Sequence, residues 1–459
     1  MGVALNPTIF RAYDIRGVVD VDLDEGVYQR LGHAAGSYFA AQGLRTIVVA
    51  RDARLSSPRF QAALIAGLRQ AGRDVIDIGQ AATPMMYFAV EQLHADGGAI
   101  VSASHNPPQF NGLKLRRAHP MFGSEPLGGE EIQAIGQLAL AGDFVGGSGS
   151  YTQADVSEAY IANVVGTLPF TGKRPRVVLD GGNGVAGPIG MATYQALGLD
   201  VLPLFIEPDG TFPNHHPDPL KPENLQQLIA EVRRQGADIG IGLDGDGDRL
   251  GVVDANGTIV YADRYLIALA TYLLGQRKGP VIYDVKCSSV LPQAITALGG
   301  TPIMWKTGYT NLSAKMRETD AVLGGELSGH TIIPAPAHHF DDGTFAGAYL
   351  LYALSQLGTT LSELLAAYPS LPSLDEGRIA FPEELKFELI NFVRARFEAT
   401  HPVSDIDGVR VDFGDGWGLL RASNTEPAIT NRFEATTLAR AQAIRDQMMH
   451  VVGEFQSHV

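Results

Sequence analysis

Residues 238–249 read Asp-Ile-Gly-Ile-Gly-Leu-Asp-Gly-Asp-Gly-Asp-Arg, an apolar run followed at once by alternating aspartate and glycine. The apolar run predicts a buried strand, because it is short and gives way directly to turn residues. The loop after it carries Asp244, Asp246 and Asp248, and the glycines between them let the backbone curl so that the three carboxylates point to one place. Hard oxygen ligands in that number suit a magnesium ion. The stretch therefore predicts a strand that ends in a metal site.

Two other kinds of loop use clustered aspartates. The calcium loop of an EF-hand needs glycine at its sixth position and glutamate at its twelfth, where this chain has Arg249 and Ala255, so that interpretation fails. A phosphatase with an aspartyl nucleophile also places an Asp-x-Asp pair after a strand. A metal-dependent sugar-phosphate phosphatase therefore stays open as an alternative.

A second apolar run, residues 98–101, leads into the sequence Ser-Ala-Ser-His-Asn-Pro at residues 102–107 and then to Lys114. Serine is a weak nucleophile unless it is assisted, and Lys114 together with a bound metal would supply a positive field around Ser104. A plainer interpretation makes the serines turn residues and His105 a packed or capping histidine. The loop therefore predicts a catalytic serine only when it is considered together with the three aspartates.

Two further clusters suit an anionic sugar. Residues 325–330 read Gly-Glu-Leu-Ser-Gly-His, in which Glu326 and Ser328 can bind sugar hydroxyls and His330 can move a proton near neutral pH. Residues 421–427 read Arg-Ala-Ser-Asn-Thr-Glu-Pro, which offers a guanidinium, two hydroxyls, an amide and backbone donors. Such a loop suits a phosphate group, although a surface ion pair and an ordinary turn would use the same residues.

Composition excludes several classes of protein. The chain has 459 residues, 45% of them apolar and 19% charged, which indicates packed domains rather than long disordered tracts. A formal charge of −15 opposes binding to nucleic acid or to an anionic membrane surface. No apolar run is long enough to cross a bilayer, the N-terminal stretch has no signal-peptide pattern, and Cys287 has no second cysteine to pair with. We expect a cytoplasmic protein.

Short apolar runs alternate with amphipathic stretches along most of the chain, which predicts α/β domains. Pro58 and Pro222 stand where first helical turns should begin. The last part has a different rhythm, with strands near 409–413 and 419–422 and a helix near 437–452, and it reads as a small α+β domain. Glycine, serine and proline clusters predict boundaries that give four domains: residues 1–150, 151–256, 257–368 and 369–459.

Taken together, the four loops resemble those of one family, the α-D-phosphohexomutases, and they occur in the family's order. Ser-Ala-Ser-His-Asn-Pro resembles its phosphoserine loop, Asp-Gly-Asp-Gly-Asp-Arg its metal loop, Gly-Glu-Leu-Ser-Gly-His its sugar loop and Arg-Ala-Ser-Asn-Thr-Glu-Pro its phosphate loop. Residues 10–17, 180–184, 212–217 and 284–287 also look like segments of the bacterial phosphomannomutases/phosphoglucomutases. The resemblance covers nearly the whole chain.

This resemblance implies a heart-shaped molecule of three related α/β domains and a C-terminal α+β domain similar to the TATA-binding-protein fold, all lining one cleft. It implies that Ser104 carries a phosphoryl group and joins the three aspartates around one Mg²⁺. Catalytic roles fall to Ser104, Arg16, Lys114 and His330. Substrate binding falls to Tyr13, Arg249, Lys286, Gly308, Tyr309, Glu326, Ser328, Arg421, Ser423, Asn424 and Thr425.

The implied reaction interconverts hexose 1-phosphate and hexose 6-phosphate through a hexose 1,6-bisphosphate, which also serves as activator. Tyr309 departs from the family's pattern, because the dual-specificity bacterial enzymes carry a histidine there, and this leaves glucose and mannose undecided. The resemblance also implies a monomer whose partners are small-molecule hexose phosphates. A non-catalytic sugar-phosphate sensor would have no reason to keep Ser104 with all three aspartates. The pairs His215-His216 and His338-His339, with Asp341-Asp342, are expected to be structural.

Overall fold

The computed structural model describes residues 5–11, 13–336, 338–423 and 427–457 and folds them into four β-sheets that follow one another along the chain. We call each sheet with its helices a module. The sheets of the first to fourth modules span residues 15–153, 176–254, 280–332 and 377–435. The predicted change from α/β to α+β organisation is confirmed, because only the fourth sheet is antiparallel throughout.

The first module begins with a 3-10 turn at Pro7–Ile9 and has a seven-stranded sheet of order β1-β5-β4-β2-β3-β7, with β6 paired to β5. Its strands are β1 (Ile15–Val18), β2 (Thr46–Arg51), β3 (Asp74–Gln80), β4 (Gly97–Val101), β5 (Phe110–His119), β6 (Gly123–Pro126) and β7 (Tyr151–Gln153). Its helices are α1 (Glu25–Ala41), α2 (Ser57–Gln70), α3 (Thr83–Gln92) and α4 (Gly129–Ala141). Pro58 lies in the first turn of α2, as predicted.

The second and third modules each have a four-stranded mixed sheet, of order β11-β10-β8-β9 and β13-β12-β14-β15. The second contains α5 (Ser157–Thr167), β8 (Arg176–Asp180), α6 (Gly187–Ala196), β9 (Asp200–Leu204), α7 (Gln226–Gln235), β10 (Ile239–Leu243) and β11 (Leu250–Asp254). The third contains α8 (Ala262–Gln276), β12 (Pro280–Asp284), α9 (Val290–Ala297), β13 (Thr301–Trp305), α10 (Tyr309–Thr319), β14 (Leu323–Gly325), β15 (Thr331–Ile332), α11 (Gly343–Leu357) and α12 (Leu361–Leu365).

The prediction of a helix beginning at Pro222 is corrected in one respect. Pro222–Leu225 form a 3-10 turn, and the α-helix begins only at Gln226. Pro222 still sets the backbone at the start of the helical segment, because its fixed φ suits either kind of helix. Short 3-10 turns at the N-terminal ends of α-helices are common.

The fourth module has a five-stranded antiparallel sheet of order β16-β20-β19-β18-β17 with two helices on it. Its elements are β16 (Gly377–Ala380), α13 (Lys386–Phe397), β17 (Val403–Ser404), β18 (Val409–Asp412), β19 (Gly416–Ala422), β20 (Ala428–Ala435) and α14 (Leu438–Gln456). Thr437 caps α14, because its side chain accepts a hydrogen bond from the Arg440 amide.

Buried apolar side chains show how the modules are joined. One cluster runs without interruption from α3 through the second and third modules. The described core of the fourth module is a separate cluster, made of residues between Phe381 and Phe455. That module meets the third through a small apolar patch of Val285, Trp417 and Leu419. Hydrogen bonds also cross the junction, from Ser289 to Glu434, from Arg410 to the Val285 and Cys287 carbonyls, and from the Thr307 amide to Asp407. The first three modules are therefore packed together, whereas the fourth is attached to them.

The predicted strands bring the functional loops to corresponding edges of the sheets. β4 is parallel to β2, β10 to β8 and β14 to β12, and all residues of β4, β10 and β14 are buried. The loops after these strands begin at Ser102, Asp244 and Glu326. Ligands in α/β proteins bind outside the carboxyl ends of parallel strands, so this is where a site is expected.

Gly67 in α2 lies where that helix crosses α1, and a side chain there would press on the α1 backbone. A Cβ atom at this position would overlap the Gln29 carbonyl oxygen and lie 2.6 Å from the His33 nitrogen. We expect Gly67→Ala to lower the free energy of unfolding by about 1–3 kcal/mol, as overpacking does. Urea denaturation measures this. Gly166→Ala, at a helical glycine with open space around it, is the control and should be neutral or stabilising. Equal stability of the two variants would contradict the prediction.

Within the described ranges, no helix combines the length and apolar character that crossing a membrane requires.

Candidate active site

Three buried carboxylates form the centre of the site. Asp244, Asp246 and Asp248 follow β10 and are each 0% exposed. One carboxylate oxygen of each lies within 4.8 Å of the other two. The Asp244 carboxylate also accepts hydrogen bonds from the Gly247 and Arg249 amides at 3.0 and 3.2 Å, so the loop holds its own shape. The convergence predicted from the alternating Asp-Gly pattern is present.

The donor set fits a divalent cation. Asp246 Oδ1 and Asp248 Oδ1 are buried and accept no hydrogen bond from any described residue. An anionic oxygen in that condition is costly unless a cation lies beside it. Oxygen ligands alone, with no thiolate or imidazole among the three aspartates, match the preference of Mg²⁺.

The charges in this cluster shift one another's pKa. Burial, and then the like charges of Asp248 and Asp246, raise the pKa of Asp244 well above its ordinary value. Burial also acts to raise the pKa of Asp248, but the positive charges of Lys114 and His330 outweigh it and hold that pKa below its usual value. Burial and the two neighbouring carboxylates therefore disfavour a negative charge on Asp244.

Ser104 lies beside the carboxylates. Its hydroxyl donates to Asp244 Oδ2 at 2.8 Å and lies 3.1 Å from His105 Nδ1. The Ser102 hydroxyl accepts a hydrogen bond from the Ser104 amide at 2.9 Å and donates to Asp246 Oδ2 at 3.2 Å. The two loops that the sequence places 140 positions apart thus meet at Ser104 and Asp244.

Lys114 completes this contact from β5. Its ammonium donates to Asp246 Oδ2 at 2.6 Å and to Asp248 Oδ2 at 2.5 Å. Burial acts to lower the pKa of Lys114, but the two aspartates raise it well above its ordinary value. Lys114 therefore carries a positive charge beside Asp246 and Asp248.

Arg249 and His330 link the metal loop to the sugar loop. Arg249 Nε donates to His330 Nε2 at 3.1 Å, and His330 Nδ1 lies 2.7 Å from Asp341 Oδ2. Since Nε2 accepts in this arrangement, the proton on Nδ1 is donated to Asp341. Burial acts to lower the pKa of His330, but Asp248 and Asp341 raise it overall. Protonation of Nε2 would displace Arg249, so the charge on His330 is coupled to the position of that guanidinium.

The sugar loop is bound to the loop before α10. Glu326 accepts a hydrogen bond from the Gly308 amide and another from the Ser328 hydroxyl at 3.2 Å. The Tyr13 hydroxyl donates to the Thr307 carbonyl at 2.9 Å, which brings the first module to the same loop. Burial is the main reason that the pKa of Glu326 is raised. A buried acid of this kind readily accepts hydrogen bonds from sugar hydroxyls.

Arg421 approaches from the fourth module and is held by an acid that lies between two loops. Asp407 Oδ2 accepts from Arg421 Nε at 2.7 Å and from the Thr307 amide at 2.9 Å. The Ser423 carbonyl accepts a hydrogen bond from Lys386 at 2.6 Å. Asn424 and Thr425 lie outside the described residues. The base of the predicted phosphate loop therefore faces the loop that carries Gly308 and Tyr309.

Comparison with known proteins agrees with this arrangement. The chain matches the phosphoglucomutase/phosphomannomutase models for alpha/beta/alpha domain I over residues 7–142, domain II over 158–257, domain III over 261–371 and the C-terminal domain over 378–451. The chain belongs to this family. A phosphomannomutase/phosphoglucomutase from Pseudomonas putida is 42% identical over 99% of this chain and 98% of its own length.

Two further relatives span the whole chain. A phosphoglucomutase of Neisseria gonorrhoeae is 41% identical, with 97% of this chain and 96% of the relative covered. The crystal structure of a phosphoglucomutase/phosphomannomutase family protein from Burkholderia thailandensis superimposes with a TM-score of 0.90 at 41% identity, covering 98% of both chains. The predicted family and four-domain architecture are confirmed.

Two further residues that the sequence predicts for the site, Arg16 and Lys286, contact the phosphoserine loop and the segment before the fourth module. Arg16 donates to Asn106 Oδ1 at 2.6 Å and to Asp14, and its buried Nε donates to no described residue. Lys286 donates to Glu376 Oε2 at 3.4 Å, in the segment that leads to the fourth module. These contacts place Arg16 beside the phosphoserine loop and Lys286 at the junction of the third and fourth modules.

Tyr309, the departure from the family pattern, packs in the middle of these groups. Its ring stacks on His330 at a centroid distance of 5.7 Å, and its centroid lies 6.0 Å from Lys114 Nζ. Tyr309 as a whole is 7% exposed, so it is buried. The ring of Tyr309 thus lies beside Lys114 and His330, two of the three candidate groups for proton transfer.

Sequence reasoning missed three side chains that shape the site. We expected the 338–342 segment to be structural, but Asp341 bonds to His330. Thr83, at the start of α3, donates from its hydroxyl to Asp246 Oδ2 at 2.7 Å. Asp407 was not considered. None of the three lies in a local sequence motif. Asp341 could have been found only from the structure, as an acid that bonds to a histidine of the site. His338 and Asp342 do bond to each other, at 3.0 Å, away from His330.

Proposed function

We propose that this chain interconverts hexose 1-phosphate and hexose 6-phosphate by way of a phosphoserine at Ser104 and a hexose 1,6-bisphosphate. The contact that carries the proposal is the hydrogen bond from the Ser104 hydroxyl to Asp244, in a buried cluster that also holds Lys114. The names of the relatives, phosphomannomutase/phosphoglucomutase and phosphoglucomutase, support the same reaction and leave both glucose and mannose as substrates.

The proposal includes one Mg²⁺ ion held by Asp244, Asp246, Asp248 and Ser104. When bound, Mg²⁺ neutralises phosphoryl oxygens and so lowers the cost of charge on the group in transfer. It suits the buried carboxylates, which otherwise repel one another. The traces of hexose 1,6-bisphosphate that start the cycle act as activator, because they phosphorylate Ser104.

The protein's own residues then perform the transfer. Phosphoserine 104 passes its phosphoryl group to the free hydroxyl of the bound sugar phosphate, which loses its proton. Lys114, Arg16 and His330 are the candidates for moving that proton. Lys114 and Arg16 are already cationic and can accept a proton only after giving one up. His330 can accept it at Nε2, and Asp341 on its other nitrogen supports the resulting positive charge. After the bisphosphate turns over in the cleft, its other phosphoryl group returns to Ser104 and the isomeric monophosphate leaves.

Two groups of residues bind the sugar phosphate during these steps. Glu326, Ser328 and Gly308 form one bonded group that we propose binds sugar hydroxyls. Arg421 and Ser423, with Asn424 and Thr425, bind the phosphate that is not reacting, whichever end of the sugar carries it. Tyr13, Arg249, Lys286 and Tyr309 complete the cleft. The proposal also keeps domains at 1–150, 151–256, 257–368 and 369–459, and a cytoplasmic monomer.

Phosphorus NMR tests the function directly. The protein is mixed with glucose 1-phosphate, Mg²⁺ and a trace of glucose 1,6-bisphosphate, and we expect glucose 6-phosphate to appear without inorganic phosphate. The same run with mannose 1-phosphate ranks the two sugars. Growth of inorganic phosphate alone would overturn the mutase and support a sugar-phosphate phosphatase.

Arg421→Ala should weaken substrate binding more than it slows chemistry. A charge-assisted hydrogen bond to phosphate contributes about 1.5–3 kcal/mol, so we expect KM to rise about 10-fold to 100-fold while kcat falls less than about 5-fold. Arg394→Ala is the matched control, since Arg394 belongs to the same module and pairs with Asp405 at the surface. Steady-state kinetics of both variants decide the matter. An unchanged KM in Arg421→Ala would show that Arg421 does not bind the non-reacting phosphate.

A further inference from the structure

Arg54 is a buried arginine that neither the sequence motifs nor the proposed chemistry uses. It lies in the loop between β2 and α2, its side chain is 0% exposed, and its Nε donates to Asp52 Oδ2 at 3.0 Å. Asp52 is itself held, because the Ser57 hydroxyl donates to its other oxygen at 2.5 Å. The ring of Phe212, from the second module, lies 5.4 Å from the guanidinium. Asp52 and Phe212 thus hold the guanidinium independently of its contacts with the phosphoserine loop.

Among the described residues, the two terminal nitrogens of Arg54 donate only to carbonyls of residues 104–110. Nη2 donates to the carbonyls of Ser104 and Asn106 at 2.8 and 2.6 Å, and Nη1 to those of Pro107 and Phe110 at 2.7 and 3.1 Å. Four backbone acceptors within seven residues therefore converge on one planar cation. Burial lowers the pKa of Arg54 despite Asp52, which shows that the guanidinium is deeply desolvated. A group in that position holds its acceptors tightly, because leaving them unbonded would be costly.

The loop needs such support at Ser104. Ser104 has a φ of 51°, a left-handed conformation that costs a residue other than glycine about 1–3 kcal/mol. The other side of its carbonyl faces the metal loop, where a Cβ at Gly245 would lie 2.6 Å from the Ser104 oxygen. The Ser104 peptide is therefore held between Arg54 and the backbone beside Asp244.

We propose that Arg54 is a positioning residue for phosphoryl transfer: through the four carbonyls of residues 104–110 it holds the Ser104 hydroxyl against Asp244. The inference rests on the proposed role of Ser104. Arg54 makes no hydrogen bond to any of the described residues assigned to sugar or phosphate binding other than this loop. Its loss should consequently lower the rate of transfer and leave substrate affinity nearly unchanged.

Arg116 separates positioning from general support of the fold. It belongs to the same module and is 1% exposed, as Arg54 is. Its guanidinium donates to Ser124 Oγ at 3.0 Å and to the Ser124 carbonyl at 2.8 Å, and it stacks on Tyr87, so its recorded partners lie outside residues 104–110. Replacing either arginine by lysine removes a buried guanidinium fork and keeps a positive charge. Only one replacement releases the phosphoserine loop.

The test compares Arg54→Lys with Arg116→Lys in the full-length protein with Mg²⁺. We expect kcat of Arg54→Lys to fall about 100-fold, the scale that a small misplacement of a reacting group produces, with KM within about threefold of the wild type. We expect amide hydrogen exchange of residues 104–110 to quicken in Arg54→Lys and not in Arg116→Lys. If the two variants lose similar stability and similar kcat, Arg54 acts through the fold alone and the proposal is overturned.

Asp52→Asn provides a second variant if Arg54→Lys does not accumulate as folded protein. It keeps the size of the side chain and removes the charge that holds Nε, so kcat should fall about 10-fold, again with KM nearly unchanged. An unaltered kcat together with unaltered exchange at residues 104–110 would overturn the proposal. A wild-type protein without mutase activity would instead refute the function, and the exchange comparison would still decide whether Arg54 orders the loop.

Discussion

Ser104→Ala should abolish mutase turnover, with kcat falling about 10⁴-fold or more, the scale seen when a covalent nucleophile is removed. The serine hydroxyl is the only group of this side chain that bonds to Asp244, and alanine has nothing to phosphorylate. A coupled assay, in which a dehydrogenase oxidises the glucose 6-phosphate formed and reduces a nicotinamide cofactor, measures the loss. Intact-mass measurement should find a phosphorylated form of the wild type and none at position 104 in the variant.

Ser313→Ala is a suitable control for this experiment. Ser313 is also buried, at 3% exposure, but it lies in α10 and its hydroxyl accepts a hydrogen bond from Arg317. We expect nearly wild-type kcat for this variant. Substantial turnover by Ser104→Ala would refute the phosphoserine mechanism and shift attention to an aspartyl nucleophile.

Asp246→Asn should have the second largest effect, a fall in kcat of about 10³-fold together with weaker binding of Mg²⁺. Asp246 Oδ2 accepts from Thr83, Ser102 and Lys114, so this carboxylate connects the first module to the metal loop. An amide of the same shape lowers the negative charge of the cluster and presents an NH₂ group to these donors if it turns. Isothermal titration with Mg²⁺, followed by kinetics at several Mg²⁺ concentrations, separates lost metal from lost chemistry.

Asp254→Asn controls for the loss of a buried carboxylate in the same module. Asp254 is 7% exposed and ends β11, where it accepts hydrogen bonds from the Asn256 and Thr258 amides and the Ser362 hydroxyl. We expect unchanged Mg²⁺ affinity and kcat there. Wild-type Mg²⁺ binding by Asp246→Asn would contradict the assignment of Asp246 as a ligand.

The sequence predicts the site residues that lie in short local motifs. Ser104 and the three aspartates each follow a buried strand directly, and a strand end determines where the next residues lie. Their meeting across 140 positions then follows from the order of the sheets, which the family resemblance supplied and local pattern did not. Arg54, Asp341 and Asp407 were not predictable in the same way. Arg54 bonds to a loop 50 positions away, and Asp407 bonds to both Thr307 and Arg421. Asp341 bonds to His330 only 11 positions away, but no residue type beside any of the three acids and bases signals its partner.

Backbone detail was also beyond the sequence. The proline at position 222 marks a helical start, but whether the first turn has 3-10 or α geometry depends on how the segment packs. Similarly, the positive φ of Ser104 has no signal in Ser-Ala-Ser-His, because serine adopts that conformation only when neighbouring groups impose it.

The separate core of the fourth module has a consequence for how such chains diversify. A crossover near residue 374, between homologous genes, would divide the described residues at a place where the apolar cluster of 381–455 stays whole. The exchanged piece would need to keep the residues that meet the third module across the junction: Trp417 beside Val285, Glu434 bonded to Ser289, Arg410 bonded to the Val285 and Cys287 carbonyls, and Asp407 bonded to Thr307. Chimeras that join residues before this point to the fourth module of a relative would show whether substrate preference follows that module.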